Sequence, residues 1–171
     1  MNKHELVSRL LQLDKDMSLI EDSDSIYSCV IVGGGALVLL DKISRSTQDI
    51  DAINASTELI PFLENYNINM NVKAYCLNFP DNYLSRVKKL NIPTKKVNFY
   101  TISLEDLVVS KLNSIRDKDI DDLSNKLIYE NINWDLLEKL IEDTCYGLLN
   151  DNDERLLRQN YEEYKDKYRN A

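Results

Sequence analysis

A run of three glycines between a buried strand and a pair of aspartates constrains this chain more than any other feature. Residues 27–53 read YSCVIVGGGALVLLDKISRSTQDIDAI. The apolar, β-branched residues 29–32 predict a buried strand, and the apolar residues 36–40 after the glycines predict a buried helix. Asp49 and Asp51 begin a second predicted strand. Because side chains alternate along a strand, both carboxylates are expected on the same side.

The spacing of the two carboxylates suggests a cation site. Two like charges this close repel each other unless water screens them or a cation lies between them. Carboxylate oxygens are ligands that suit Mg²⁺. A glycine turn beside such a pair is what a site for a metal-bound triphosphate needs, and this is our working hypothesis. The plain alternatives are a tight strand-to-helix turn and a solvated strand end.

Several other chemistries are excluded by the residues present. His4 is the single histidine of the chain and lies near a terminus that we expect to fray, which argues against a histidine-based catalytic triad. Gly33 and Gly35 match the first two positions of the dinucleotide-binding fingerprint, but Val38 replaces its third glycine. No Gly-Lys-Ser/Thr follows the glycines, so they do not form a P-loop.

Composition places the chain among globular proteins. It has 171 residues, of which 43% are hydrophobic and 29% charged, enough for a sizeable core. The longest apolar run, residues 36–40, is too short to span a membrane, and the first residues lack the apolar region of a signal peptide. We therefore expect a cytoplasmic location. The scattered Cys29, Cys76 and Cys145 predict reduced, buried thiols rather than disulfides or a zinc site.

The net charge of −8 limits the choice of partners. Non-specific nucleic-acid binding depends on a basic surface that releases counterions, and the densest basic stretches here are only residues 86–89 and 95–96. Such binding is not expected. Recognition of one small phosphorylated ligand through a metal ion stays open.

The remaining segments predict an α+β chain. Helices are expected at residues 3–20, 58–66, 84–90 and 104–115. The helical pattern resumes at residues 117–122, and further helices are expected after Asn133 and through Leu157–Tyr168. A third strand is expected at residues 97–102, and residues 68–79 are ambiguous. This order predicts a small mixed β-sheet flanked by helices, with a C-terminal helical tail. The predicted core spans residues 1–118 and the helical extension residues 119–171, together forming one compact unit.

Two sequence blocks resemble a known family. GGGAL at residues 33–37, followed by RSTQDID at residues 45–51, is similar to the signature of the nucleotidyltransferase fold, the DNA polymerase β-like superfamily. The pattern looks most like the bacterial branch of AbiEii-type toxins and related minimal nucleotidyltransferases. Residues 104–122 are similar to the Leu-x-x-x-Lys…Arg-x-Lys-Asp-x-x-Asp helix of that branch.

The resemblance implies roles for individual residues. Asp49 and Asp51 would be the catalytic carboxylates and would hold Mg²⁺. Gly33 and Gly34 would let the backbone approach a nucleoside triphosphate, with amides at the start of the next helix meeting its charge. The resemblance also implies that Arg45, Thr47 and Lys111 bind the nucleotide. Arg116 and Asp119 would support this site.

Some of these roles have alternatives. Arg45 either touches substrate or pairs with a local carboxylate. Lys111 is expected at the border of the apolar stripe of its helix, where its ammonium reaches the phosphates, positions the helix against the sheet, or is simply solvated. Asp119 would fix that helix or a substrate. The charged run at residues 118–122 by itself predicts a solvated helix surface.

The sequence departs from the family pattern at one point. Polymerase β-like enzymes usually carry a third carboxylate on a neighbouring central strand, and the predicted strand at residues 97–102 has none. Glu105 and Asp81 are the substitutes that we consider. Because two-metal catalysis clamps both the attacking and the leaving oxygen, its full form is in question.

Two functions follow from the resemblance. The first is Mg²⁺-dependent transfer of a nucleotidyl group from a nucleoside triphosphate to an unidentified acceptor, which is a protein, a tRNA or a small molecule, in a toxin–antitoxin or phage-defence setting. The second is a catalytically inactive module of the same fold that engages a protein partner through its C-terminal helix. The tyrosines of that helix, Tyr161, Tyr164 and Tyr168, are expected to pack the tail or to form this interface.

Overall fold

The computed structural model describes residues 1–20, 24–72, 79–114 and 116–170. The chain divides into two compact units. The sheet unit comprises Met1–Ala74 and Val87–Ile102, and the helical unit comprises Tyr75–Arg86 and Ser103–Ala171. The mixed sheet flanked by helices and the C-terminal helix confirm the predicted fold class.

The sheet unit alternates helices and short strands. Its elements are α1 (Lys3–Met17), β1 (Tyr27–Val32), α2 (Gly33–Leu39), β2 (Ile50–Ile53), α3 (Ile60–Leu63), a 3₁₀ turn (Glu64–Tyr66), β3 (Ile68–Asn69), β4 (Lys88–Lys89) and β5 (Val97–Thr101). The strands form one sheet in the order β3-β2-β1-β5-β4. β1 is parallel to β5 and antiparallel to β2, β3 runs parallel to β2, and β4 runs antiparallel to β5.

The central position of β1 explains its composition. Five of its six residues are buried, as expected for an apolar run with neighbours on both sides. Its last residue, Val32, lies opposite Asp51 of β2, and Asp51 in turn lies opposite Asn69 of β3. The register therefore brings Asp51 beside the point where the glycine run begins.

A buried aspartate that the sequence analysis did not single out fastens α1 to β5. Asp14 is 7% exposed, and its carboxylate accepts hydrogen bonds from the backbone N–H groups of Lys95, Lys96 and Val97 at 3.0, 2.7 and 2.8 Å. α1 also contacts α2, which packs on β1 and β2. These contacts fix the frame that holds the glycine turn.

The helical unit begins with a 3₁₀ turn, Tyr83–Arg86, and continues after Ser103 with five helices: α4 (Leu104–Leu112), α5 (Asp117–Leu123), α6 (Lys126–Tyr129), α7 (Trp134–Gly147) and α8 (Asp151–Tyr168). Side chains cap the first turns of α4 and α7. Ser103 Oγ accepts from the N–H of Asp106 at 3.0 Å, and Asn133 Oδ1 accepts from the N–H of Leu136 at 3.1 Å.

The structure differs from the sequence prediction in the segment before β5. The helix predicted at residues 84–90 is wrong: the 3₁₀ turn is followed by β4, because Lys88 and Lys89 find backbone partners in β5. Within the helical unit, α4 packs with α5, α7 and α8; the predicted division of the chain at residue 118 stays a prediction. The sequence predicts a reduced, buried thiol at Cys76 and the end of a helix at Ile115. Both residues lie outside the described ranges.

None of the helices in the described part of the chain combines the length and the apolar character needed to cross a bilayer.

Candidate functional site

The first glycine of the run is held in a conformation that favours glycine. Gly33 has φ = +65°, in the left-handed region, between extended Val32 and the first turn of α2. A Cβ at this position would lie 2.8 Å from Oδ2 of Asp51. The Asp51 carboxylate thus rests directly against the Gly33 backbone, in a space that a larger residue would fill.

The second glycine is approached by a cation. A Cβ on Gly34 would lie 3.0 Å from Nη2 of Arg45, so the guanidinium lies over this residue. Arg45 also donates from Nη1 to the carbonyl of Ser46 at 3.1 Å. Neighbouring glycines of one turn are therefore contacted by opposite charges, the Asp51 carboxylate at Gly33 and the Arg45 guanidinium at Gly34.

Three hydrogen bonds hold the backbone around Asp49. Thr47 Oγ1 donates to the carbonyl of Asp49 at 3.1 Å. Asn67, at φ = +58°, donates from Nδ2 to the carbonyl of Gln48 at 2.7 Å and accepts from the N–H of Ile50 at 3.0 Å. Thr47 thereby positions Asp49. This role of Asn67 was not predicted from the sequence. The one property that could have indicated it is that asparagine tolerates a positive φ before a strand.

The two aspartates straddle the start of β2. Asp51 lies within the strand and Asp49 just before it; both are half-buried, whereas Ile50 between them is fully buried. This alternation of burial is typical of the start of a strand; that the two carboxylates share a side stays a prediction. Asp49 also lines an open cavity of about 500 Å³ together with Asn69 and Asn71.

The donor set fits Mg²⁺ in one particular way. Proteins hold Mg²⁺ through one or two carboxylates, with phosphate oxygens and water completing the octahedron. Asp49 and Asp51 are the carboxylates that the resemblance assigns to such a site, and this assignment stays a prediction. Among the residues that the structure describes, no group of three or more His, Cys, Asp or Glu side chains is placed to hold a metal ion.

The carboxylates considered as a third acid have other contacts. Glu105 is 8% exposed and accepts from the N–H of Asn133 at 2.8 Å, at the start of α7. Asp81 lines a cavity in the helical unit, and its carbonyl accepts from Arg86 at 3.2 Å. Both lie in the helical unit. The bonding of Glu105 gives it a structural task at the start of a helix.

Lys111 is placed differently from expectation. Its side chain is 5% exposed, and Nζ donates to Asp119 at 2.6 Å and to Asp122 at 2.8 Å. The prediction that the Lys111 ammonium reaches outward from the border of its helix is therefore wrong. The prediction that residues 118–122 form a solvated helix surface is also wrong, because Asp119 and Asp122 are buried. The reason is that α5 packs on α4 and brings both carboxylates to Lys111.

Asp119 joins the supporting residues into one network. Arg116 Nε and Ser114 Oγ donate to its Oδ2 at 2.6 and 2.7 Å. Burial would raise the pKa of Asp119, but the hydrogen bonds from Lys111, Ser114 and Arg116 outweigh it and hold that pKa below its usual range. The structure thus brings Lys111, Arg116 and Asp119 together; their roles toward a nucleotide stay predictions.

A second buried ion pair, between Arg86 and Asp106, was not predicted from the sequence. Asp106 is fully buried, and Arg86 binds it through Nη2 at 2.6 Å and Nε at 2.9 Å. Ser103 Oγ donates to the same carboxylate at 2.6 Å. The sequence pattern around Asp106 indicates only a capping pair with Ser103, three residues earlier. Arg86 lies 20 residues earlier, and no local spacing connects the two.

Gly33→Ala should destabilise the protein by about 1–3 kcal/mol, because a Cβ strains the positive φ and displaces the Asp51 carboxylate. Urea denaturation measures this loss. Gly147→Ala is the matched control, since a Cβ there meets nothing within 4 Å. A Gly33→Ala variant as stable as the control would contradict the close approach of Asp51.

A family model described as "Nucleotidyltransferase of unknown function (DUF6036)" matches residues 8–169. Comparisons with curated proteins and with solved structures found no match. The matched range contains every candidate residue described above.

Proposed function

Because the chain belongs to this DUF6036 family of nucleotidyltransferases, we propose that its glycine turn and aspartate pair bind a Mg²⁺–nucleoside triphosphate and transfer the nucleotidyl group to an acceptor hydroxyl. One observation carries the proposal: the Asp51 carboxylate and the Arg45 guanidinium contact neighbouring glycines of the same turn. A triphosphate with its metal ion needs both kinds of group within reach of one backbone segment.

Each residue at the turn has a distinct task. Asp49 and Asp51 would hold Mg²⁺, which when bound neutralises charge on the phosphates. Arg45 offers forked N–H donors that match phosphate oxygens. Thr47 keeps the Asp49 backbone in place through its 3.1 Å hydrogen bond. Gly33 leaves room for the Asp51 carboxylate at the turn.

The reaction is a single displacement at the α-phosphorus. The acceptor oxygen forms a bond to that phosphorus, the bond to the β-phosphate oxygen breaks, and pyrophosphate leaves. The acceptor proton passes to solvent or to a nearby base. The chain contributes mainly by holding the triphosphate in line with the acceptor, which is a large part of catalysis in such transfers.

The acceptor and the biological setting are finer proposals. The resemblance of residues 33–51 to AbiEii-type and minimal nucleotidyltransferases favours a toxin–antitoxin or phage-defence setting. The acceptor would be a protein, a tRNA or a small molecule. The net charge of −8 supports recognition of one defined acceptor over non-specific binding along nucleic acid.

A second function is favoured by the missing third carboxylate. β5 (Val97–Thr101) carries no acidic residue, and Glu105 is bonded to the start of α7. An inactive module would bind the nucleotide, or nothing, and engage a protein partner through α8. Tyr161 and Tyr164 are 3% and 5% exposed, so this partner would contact the outer face of that helix.

A screen of the four nucleoside triphosphates with Mg²⁺ tests the proposal, by the melting temperature and by transfer of an α-phosphate label. The enzyme predicts both a rise in melting temperature and transfer. The inactive module predicts no transfer. An unmoved transition with all four nucleotides contradicts nucleotide binding.

Gly34→Ala should separate binding from folding. Gly34 does not have a positive φ, alanine favours helices, and the flexible Arg45 side chain can move aside. The unliganded protein should melt at or above the wild-type temperature, whereas the rise caused by Mg²⁺–nucleotide should shrink because Arg45 is displaced.

Gly35→Ala is the matched control, since the nearest contact of its Cβ would be an ordinary 3.8 Å. It should keep the full nucleotide-dependent rise. Equal rises in both variants would show that the ligand does not use the Arg45 side of the turn.

A further inference from the structure

The two aspartates of the proposed metal site are held by different means. Asp51 lies within β2 and is paired with Val32 of β1 on one side and with Asn69 of β3 on the other. Asp49 precedes the first residue of β2, at the end of the loop that follows α2. Loops are more mobile than the strands that they join. The position of Asp49 therefore depends on contacts other than the pairing of strands.

Asn67 holds both peptide planes that flank the Cα atom of Asp49. Its Nδ2 donates to the carbonyl of Gln48 at 2.7 Å, and this carbonyl belongs to the plane before Asp49. Its own carbonyl accepts from the N–H of Ile50 at 3.0 Å, and this N–H belongs to the plane after Asp49. Because peptide groups are planar, holding both planes restricts the two backbone dihedral angles of Asp49.

The side-chain amide of Asn67 has a task that Thr47 does not share. Thr47 Oγ1 donates to the carbonyl of Asp49 at 3.1 Å, so it holds the plane after Asp49, which the Asn67 carbonyl also holds. The contact to the plane before Asp49 comes from Nδ2 of Asn67. Loss of this amide would therefore release one of the two planes and leave the other in place.

The backbone conformation of Asn67 explains why an asparagine suits this position. Asn67 has φ = +58° and ψ = +36°, and its N–H donates to the carbonyl of Glu64 at 3.0 Å, which closes the 3₁₀ turn before β3. Asparagine adopts this left-handed conformation more readily than most residues other than glycine. Glycine would keep the turn but would lack the amide.

We propose that Asn67 is a positioning residue for Asp49 and thereby sets how tightly the aspartate pair holds Mg²⁺, an inference that rests on the proposed function. Backbone dihedral angles limit the rotamers that a side chain adopts. With both flanking planes held, the Asp49 carboxylate samples fewer directions and loses less freedom when the metal ion binds. Removal of groups that orient metal ligands typically weakens metal affinity by 10–100-fold.

Asn67→Gly tests this role, because glycine keeps the left-handed conformation and removes the amide. Mg²⁺ is titrated with each of the four nucleoside triphosphates, and the Mg²⁺ concentration that gives half of the nucleotide-dependent rise in melting temperature is measured. This concentration should be about tenfold higher in Asn67→Gly than in wild type. Saturating Mg²⁺ should restore the full rise, since both carboxylates remain. The unliganded variant should melt no more than about 4 °C below wild type.

Asn82→Gly is the matched control, because Asn82 is also an asparagine with a positive φ, +59°, but belongs to the helical unit. It should keep the half-saturating Mg²⁺ concentration of wild type. If wild type responds to Mg²⁺–nucleotide and Asn67→Gly has the same half-saturating concentration, only the positioning role of Asn67 is overturned, whatever the stability of the unliganded variant. If none of the four nucleotides moves the wild-type transition, the proposed function fails and this role fails with it.

Discussion

Replacing Lys111 by methionine is expected to destabilise the helical unit by about 3–5 kcal/mol, measured by urea denaturation. The variant leaves Asp119 and Asp122 without the ammonium that binds both, and their side chains are each 1% exposed. Methionine keeps the length and packing of the stem, so the loss reports the removal of the ammonium from the two buried carboxylates. Lys118→Met, at an exposed position of α5, is the control and should stay within about 0.5 kcal/mol of wild type.

The origin of this loss can be isolated. Asp119→Asn and Asp122→Asn, added to Lys111→Met, should recover much of the lost stability, because the buried charges are then gone together. A Lys111→Met variant whose stability lies within about 1 kcal/mol of wild type would contradict the buried ion pairs of Lys111 with Asp119 and Asp122.

The contribution of Asp119 to stability should also depend on pH. Its pKa is lowered in the folded protein from an ordinary value of 3.8. A depressed carboxyl stabilises the fold fully above its unfolded pKa, and this contribution is lost as the pH falls below 3.8 through the folded value. The stability difference between wild type and Lys111→Met should therefore narrow in acid.

The second large effect is expected from Asp49→Asn with Asp51→Asn. At about 100 times the dissociation constant, a ligand that binds only the folded state stabilises it by about 2.7 kcal/mol. For a chain of this size that is a rise of about 5–10 °C in melting temperature. The double variant should lose this rise and yet stay folded, since asparagine keeps the side-chain size and removes a like-charge pair.

Asp41→Asn is the control for this prediction. Asp41 lies between α2 and β2, is exposed and has a positive φ that asparagine tolerates. It pairs with Lys3 at the surface, where an ion pair contributes little. Its nucleotide-dependent rise should match that of wild type. A double variant that keeps the full rise would remove the aspartate pair from the ligand site.

Local signals predicted the elements around the glycine turn. A β-branched run, three glycines and a polar loop before Asp49 together specify a strand, a tight turn, a helix and a second strand, and each follows from short-range sterics and burial. The resemblance implies that a triphosphate approaches the backbone at Gly33 and Gly34, and this stays a prediction. The structure adds that Asp51 and Arg45 are the groups that approach.

Long-range pairing could not be predicted in the same way. β4 forms because Lys88 meets Thr101, 13 positions away, and two lysines carry no strand signal of their own. Lys111 is buried because α5 packs on α4, whereas helical periodicity places it at a border. In the sequence, Asp14 is one charge of a predicted amphipathic helix. In the structure its carboxylate binds the backbone amides of residues 95–97, which are distant in the sequence.

Transfer of label from a nucleoside triphosphate marked in its α-phosphate tests the central claim most directly. The protein, Mg²⁺ and each nucleotide are incubated with cell extract, and labelled acceptor and released pyrophosphate are measured together. The account predicts both products with wild type for at least one nucleotide, and neither with the Asp49→Asn, Asp51→Asn double variant or without Mg²⁺. Absence of label transfer with all four nucleotides, or equal transfer by the double variant, would contradict nucleotidyl transfer at this site.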